Sequence, residues 1–172
     1  MIETRLFLET LPTPTGLLRI VTDERETIRL LDWGAADDPA DLRRRLPLGV
    51  GRLRLEARRA PSPARGAVDA YFNGDAAALD ALAVETGGSV FQRQVWAALR
   101  TIPAGATVSY GEIARRIGAA GAARAVGLAN NRNPIVLVIP CHRVIGADGA
   151  LVGYGGGLER KLWLLRHEGA LL

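Results

Sequence analysis

The chain has 172 residues, 48% of them hydrophobic and 23% charged, which suits a folded protein with a real core and excludes a disordered or fibrous one. A formal net charge of +4 and a pI near 10.0 fit a polyanionic partner such as nucleic acid, although many basic proteins bind nothing anionic. A single Cys excludes an internal disulfide and any multi-cysteine zinc site, and the two His residues add little to either. In chain order, residues 5–10, 17–22 and 27–33 are short, partly alternating runs that predict strands. Turn signals at 12–16 and a charged tip at 23–26 separate them. Residues 37–46 predict a short helix. Ala64, Ala67, Val68, Tyr71 and Phe72 predict a second over 62–72, ended by Asn73-Gly74. The Ala-rich, then loop-like stretch 75–88 reads as a linker between two domains, 1–85 and 86–172.

The second half carries denser signals. Residues 91–99 have helical periodicity and stop at Pro103 and Gly105. Ser109-Tyr110-Gly111-Glu112 spells a capping box, with Ile113, Ala114 and Ile117 on the inner face of its helix and Gly118 as the stop. A small-residue segment over 119–129 predicts another helix that allows close backbone approach. Together the two suggest a helix-turn-helix, although such pairs often only pack a core. The apolar run 135–139 predicts a buried strand leading into Pro140-Cys141-His142-Arg143-Val144. A turn at 146–149, a glycine-rich loop at 153–157 and an amphipathic helix over 158–167 close the chain. No stretch approaches the ~18 apolar residues of a membrane helix. Residues 1–10 carry Glu3, Arg5 and Glu9 and lack the apolar core of a signal peptide, so the expected compartment is the reducing cytoplasm.

Cys141 is the residue with most chemical promise. By burial habit a cysteine after a buried strand is inert. Here His142 and Arg143 follow it directly, and a cationic or proton-accepting neighbour raises the thiolate fraction. In extended backbone, adjacent side chains point apart, so contact with His142 needs a turn or a bridging water. A base also needs a carboxylate on its second nitrogen; Asp148, Glu159 and Glu168 are all candidates. Asn130, Asn131 and Asn133 around Arg132 read as a polar loop, and Tyr110 as a helix-start packing residue. Arg124 projects from among Ala122, Ala123 and Ala125, which is either a solvated arginine or a cation on a surface smooth enough to approach DNA. Two readings differ in kind. A helix-turn-helix regulator with Cys141 merely packed would bind one operator sequence, usually as a dimer. A thiol hydrolase using Cys141 and His142 would turn over esters.

The run Pro140-Cys141-His142-Arg143-Val144-Ile145-Gly146, with Asn133-Pro134 beginning eight residues before the cysteine, resembles the active-site signature of the O6-alkylguanine-DNA alkyltransferases. The likeness covers roughly residues 88–169, through Phe91-Gln92-Arg93-Gln94-Val95-Trp96, Ile102-Pro103-Ala104-Gly105, Ser109–Ala114, Ala123–Gly127, Gly153–Gly157 and Arg160-Lys161. It implies an α/β (α+β) fold, with a small ribonuclease-H-like N-terminal sheet and a mainly helical C-terminal domain holding the helix-turn-helix and the active-site cysteine. The implied activity is direct-reversal DNA repair: irreversible, stoichiometric transfer of the alkyl group from O6-alkylguanine, and also O4-alkylthymine, to Cys141 after base flipping. The implied partner is double-stranded DNA containing O6-alkylguanine, bound by a monomer, with no cofactor. By the same resemblance Cys141 is the acceptor, His142 deprotonates it through a water, and Glu168 holds His142. Asn133 is a hinge, Arg124 fills the stack, and Tyr110 meets both the phosphate and the guanine ring. Gly111 and Ala125 complete the DNA-binding set; Val144, Tyr154, Gly155 and Gly156 line the base pocket. The sequence departs from some relatives in two ways. It lacks the ligands of an N-terminal zinc site, so no metal is expected, and Gly155 stands where some offer a Ser hydroxyl to the guanine oxygen.

Overall fold

The computed structural model describes residues 3–35, 38–46 and 52–172, which divide into two compact units, Met1–Gly87 and Gly88–Leu172. In the first, β1 (Glu3–Thr13) and β2 (Gly16–Asp23) form a hairpin, and β3 (Ile28–Trp33) extends it antiparallel. β4 (Arg52–Ala57) adds on the far side, parallel to β1, giving the order β3-β2-β1-β4. Sequence reading missed β4, although its Arg-Leu-Arg-Leu alternation is a strand signal. Between β3 and β4 lies α1 (Pro39–Arg45), capped by Asp38 through the Ala40 and Asp41 amides, with Pro at its first position. The predicted helix start at residue 37 lies outside the described residues. Leu6, Val21, Leu30, Leu42 and Leu46 form one core cluster, each contributing about 1.5–3 kcal/mol by leaving water. Beside it the Arg19 guanidinium is buried and forks onto Asp32 at 2.9 and 2.8 Å while reaching Asp41 at 2.9 Å. A Cβ at Gly34 would lie 2.5 Å from the Arg19 Cζ, so this ion cluster requires glycine there.

α2 (Pro63–Phe72) begins at the Ser62 cap and ends at Asn73, where Gly74 takes φ +106°. The following stretch is not the expected linker. A 3-10 turn at Ala76–Leu79 buries Leu79, and Val84 bridges Ile28, so these residues are packed into the first unit. Small apolar side chains suffice to seat them, which is why an Ala-rich composition misleads.

In the second unit, α3 (Val90–Leu99) opens with a complete capping box between Ser89 and Gln92 and buries Val95, Trp96 and Leu99. β5 (Val108–Ser109) runs straight into α4 (Tyr110–Arg116). Only half of the predicted box at Ser109 forms. Its hydroxyl accepts from the Glu112 amide at 3.1 Å, but the Glu112 carboxylate turns instead to Arg115 and Arg116, whose charges outbid a neutral backbone N–H. A short turn, with Gly118 and Gly121 at positive φ, leads to α5 (Ala123–Asn131), so the predicted second helix of the pair starts later than residue 119 and ends beyond 129. Trp96 Nε1 donates to the Ala129 carbonyl at 2.9 Å and ties α3 to α5. The chain closes with α6 (Leu158–His167), which sequence periodicity places correctly.

Candidate active site

Residues 135–139 are buried as predicted but are not a strand. Leu137 sits at φ +68°, and the Val138 amide donates to the Val136 carbonyl at 2.8 Å, a γ-turn; the Ile139 amide donates back to the Ile135 carbonyl at 3.1 Å. At Pro140 (φ −80°, ψ 65°) a second, inverse γ-turn is closed by the Cys141 amide on the Ile139 carbonyl at 2.8 Å. A run of β-branched residues here supplies bulk to a coiled loop rather than pleat to a sheet. The agent is Asn133, which donates from Nδ2 to the Ile139 carbonyl at 2.7 Å and accepts the Ile135 amide at 2.9 Å. Two ends of the loop are clamped by one side chain. Asn130 adds a bond to the Cys141 carbonyl at 3.2 Å and so joins α5 to the cysteine.

Cys141, His142 and Arg143 form a 3-10 turn, which supplies the turn that two adjacent side chains need to share a site. β6 (Val144–Ile145) then pairs in parallel with β5, Val108 opposite Val144 and Ser109 opposite Ile145. That pairing brings Tyr110, the first residue of α4, beside the cysteine turn. The Tyr110 phenol donates to the Val152 carbonyl at 3.1 Å, and burial together with the Cys141 charge raises its pKa.

Cys141 is 3% exposed. Burial pushes its thiol pKa up, while hydrogen bonds from the Asn133 and Tyr154 side chains and the charge of Lys161 pull it back. Lys161 is the only lysine in the chain and is fully buried. Its ammonium donates to the Val144 and Val152 carbonyls, and burial lowers its pKa to about 8 against the opposing pull of Cys141. Sequence reading gave Lys161 no role of its own, although its rarity and its place in the matching Arg160-Lys161 pair were both signals.

His142 has no solvent exposure, and its Nε2 lies 2.8 Å from Glu168 Oε1. Of the three carboxylates left open by the sequence, Glu168 is therefore the partner. Asp148 instead accepts the Ala150 amide within its own turn. Burial favours the protonated Glu168 carboxyl, but hydrogen bonds from His142 and Arg143 outweigh it and bring the pKa down to about 2. An ionised acceptor obliges Nε2 to carry the ring proton, leaving Nδ1 as the basic nitrogen. Nδ1 is buried and has no hydrogen-bond partner among the described residues. Burial also lowers the His142 pKa, so the ring rests neutral, as a base must.

Of the remaining predicted residues, Tyr154 and Val144 border this cluster, Tyr154 through its hydrogen bond to the thiol and Val144 through Lys161, and the others stand further out. Arg124 and Ala125 are exposed on the first turn of α5, beside Leu128, which is 60% exposed. Gly111 is half-buried in the first turn of α4. Tyr154 and Gly156 are half-buried and Gly155 exposed in the glycine-rich loop; a Cβ at Gly155 would meet the Asn131 carbonyl at 3.4 Å, an ordinary contact. The Val144 carbonyl is already engaged by Lys161. Among the described residues, no three His, Cys, Asp or Glu side chains gather as a metal site would need, and no helix is long and apolar enough to cross a membrane.

The family model for the DNA-binding domain of 6-O-methylguanine DNA methyltransferase matches residues 90–170. The methylated-DNA–protein-cysteine methyltransferase of Salmonella typhimurium is 46% identical over 169 residues, spanning 98% of each chain. That of Mycobacterium leprae is 61% identical over 101 residues, 59% of this chain and 61% of its own. Among solved structures, the O6-methylguanine methyltransferase of Mycobacterium tuberculosis superposes with a TM-score of 0.75 at 40% identity, covering 96% of this chain and 93% of the other. Mycobacterium tuberculosis OGT in complex with DNA gives 0.72 at 38%, covering 98% and 94%.

Proposed function

The chain belongs to the methylated-DNA–protein-cysteine methyltransferases, and from that premise we propose that Cys141 is the acceptor of the alkyl group and His142 its base. The protein repairs DNA by direct reversal. The observation that supports the assignment of roles is the pairing of a buried thiol with a neutral histidine whose Nε2 is held by Glu168 and whose Nδ1 is left basic.

The thiol proton passes to His142 Nδ1 through a bridging water. Sγ attacks the methyl carbon as the bond from that carbon to guanine O6 breaks. The electron pair stays on the guanine, whose ring takes up a proton from water while the protonated His142 returns the thiol proton to water, so that one proton is lost and one gained. The Tyr110 phenol, next to Cys141 and kept protonated by burial, is placed to stabilise the charge growing on the ring. Lys161 offsets the thiolate charge in a site that burial would otherwise keep neutral. The product is a thioether with no polarised carbonyl for water to attack, and the sequence has no second thiol to exchange with it. One chain therefore repairs one base.

The base must leave the duplex to reach a buried sulfur, which costs a few kcal/mol. Arg124, at the exposed start of α5 between small residues, fills the gap in the stack, and Ala125 and Gly111 let the two helices approach the backbone. Asn133 transmits movement between α5 and the cysteine loop. Val144, Tyr154, Gly155 and Gly156 line the base pocket. The domains correspond to the two compact units, Met1–Gly87 and Gly88–Leu172, two residues beyond the expected boundary at 85–86. The order β3-β2-β1-β4, with β4 parallel to β1, supports the ribonuclease-H-like reading of the first. The protein works as a monomer on double-stranded DNA in the cytoplasm and also accepts O4-alkylthymine.

Cys141→Ala and wild type, each incubated with duplex carrying O6-methylguanine, test the role of the sulfur. The variant should transfer no methyl and keep most of its DNA affinity. Transfer by the variant would overturn the assignment.

A further inference from the structure

Arg143 follows the cysteine and the histidine directly, yet its guanidinium does not face the thiol. It is 4% exposed and grips Glu168 with both arms of its fork, Nε to Oε2 at 2.9 Å and Nη2 to Oε1 at 2.8 Å. Nη1 donates to the Ile102 carbonyl in the chain just after α3. Oε1 is thus shared by His142 Nε2 and Arg143 Nη2, and each carboxylate oxygen of Glu168 has a donor. We propose that Arg143 is a positioning residue for methyl transfer, whose fork fixes the Glu168 carboxylate so that it holds His142 with the proton on Nε2 and the Nδ1 lone pair open to the Cys141 proton. The inference rests on the reading of His142 as the base.

Two physical demands meet in this cluster. A buried carboxylate facing only a histidine would draw a proton onto the ring, since an imidazolium beside a carboxylate is favoured over two neutral groups in a polar pair. A protonated His142 cannot accept the thiol proton. The Arg143 charge neutralises Glu168 without protonating His142, and it opposes the ring's protonation directly. Lys161 on α6 acts in the same sense from the other side. The buried face of α3 against this turn, Val95, Trp96 and Leu99, is without charge. Glu168, Arg143 and Lys161 are the charges set on His142, with Cys141 beside it. Removing Arg143 leaves Glu168 uncompensated, so His142 must hold its proton to higher pH.

The sign follows for the reaction. Methyl transfer falls as pH drops through the His142 pKa, and in Arg143→Met that fall begins at higher pH. A rise of one pH unit widens the rate ratio between about pH 8 and about pH 6 by up to about tenfold. Arg143→Lys keeps the charge but loses the fork, because an ammonium is a single point donor, so its profile lies between the two.

Single-turnover methyl transfer from O6-methylguanine duplex should be measured against pH for wild type, R143K and R143M. NMR of ring-labelled histidine reads the tautomer and titration of His142 in the same proteins. The chain has one other histidine, His167, stacked on Trp163 with centroids 4.8 Å apart, which serves as an internal control. The expected result is an Nε2–H tautomer in wild type, with the His142 titration and the acid limb of the rate both moved up in the variants. Rates that fall equally at every pH, with His142 titrating as in wild type, would overturn the role of Arg143 alone. A wild type without an acid limb, or with the proton on Nδ1, would instead overturn His142 as base. If R143M does not fold, R143K decides: its His142 midpoint must lie above that of wild type.

Discussion

Asn133→Ala is the most informative perturbation of the site, because one side chain shapes the loop that carries the nucleophile. The amide bonds the Ile139 carbonyl at 2.7 Å and the Ile135 amide at 2.9 Å, both in buried backbone. After truncation the Ile139 carbonyl keeps the Cys141 amide as a donor and loses roughly 1 kcal/mol for its second bond. The Ile135 amide keeps nothing, and an orphaned buried N–H costs about 1–3 kcal/mol. The sum is about 2–4 kcal/mol. At about 2–4 °C per kcal/mol for a chain of this size, the melting temperature should drop by roughly 5–15 °C. Leu137, held at φ +68°, is free to relax once the clamp is gone. Because Asn133 also hydrogen-bonds the thiol and pulls its pKa down, transfer should slow by more than the unfolded fraction explains. Calorimetric melts and single-turnover transfer at 10 °C below the variant's midpoint measure both effects. A melting temperature within about 1 °C of wild type, or an unchanged rate, would refute the clamp.

Methylated Cys141 should destabilise the protein by about 1–3 kcal/mol, since an added methyl overpacks a residue that is 3% exposed; equal or higher melting of the methylated form would mean the pocket has spare room. Arg124→Ala should slow transfer from methylated duplex far more than from free O6-benzylguanine, and equal losses on both would place the residue in the pocket rather than in the stack. Glu168, folded near pKa 2 against 4.5 for the free group, contributes stability that is full above pH 4.5 and lost as pH falls toward 2. Acid unfolding of E168Q should therefore lack much of the wild-type loss between those values, and identical acid profiles would count against the ion cluster.

Much of the fold was legible wherever a local rule decided it. The helix expected over 62–72 forms and stops before Gly74 at positive φ, Gly118 follows α4 at positive φ, and α6 follows its amphipathic period. The failures came where distant partners decided. The apolar run 135–139 looks like a strand because burial and β-branching are local, but the Asn133 clamp that coils it is not. Residues 75–88 look like a linker until Leu79 and Val84 find the first unit. Cys141 stood out by its sequence neighbours, while the roles of His142, Glu168, Tyr110 and Asn133 came through a resemblance. The residues alone left Asp148, Glu159 and Glu168 open, and it is Glu168 that lies 2.8 Å from His142. Arg143 was read as a neighbour of the thiol, and only its two bonds to Glu168 show where its charge is spent.

The central claim is that Cys141 accepts one alkyl group and is consumed. Titrating a known amount of protein with excess duplex carrying O6-methylguanine, followed by intact-mass and peptide mapping, tests it directly. The account predicts a plateau near one repaired base per chain, with a single added methyl located on Cys141. Repair that continues past one equivalent, or a methyl found on any other residue, would contradict it.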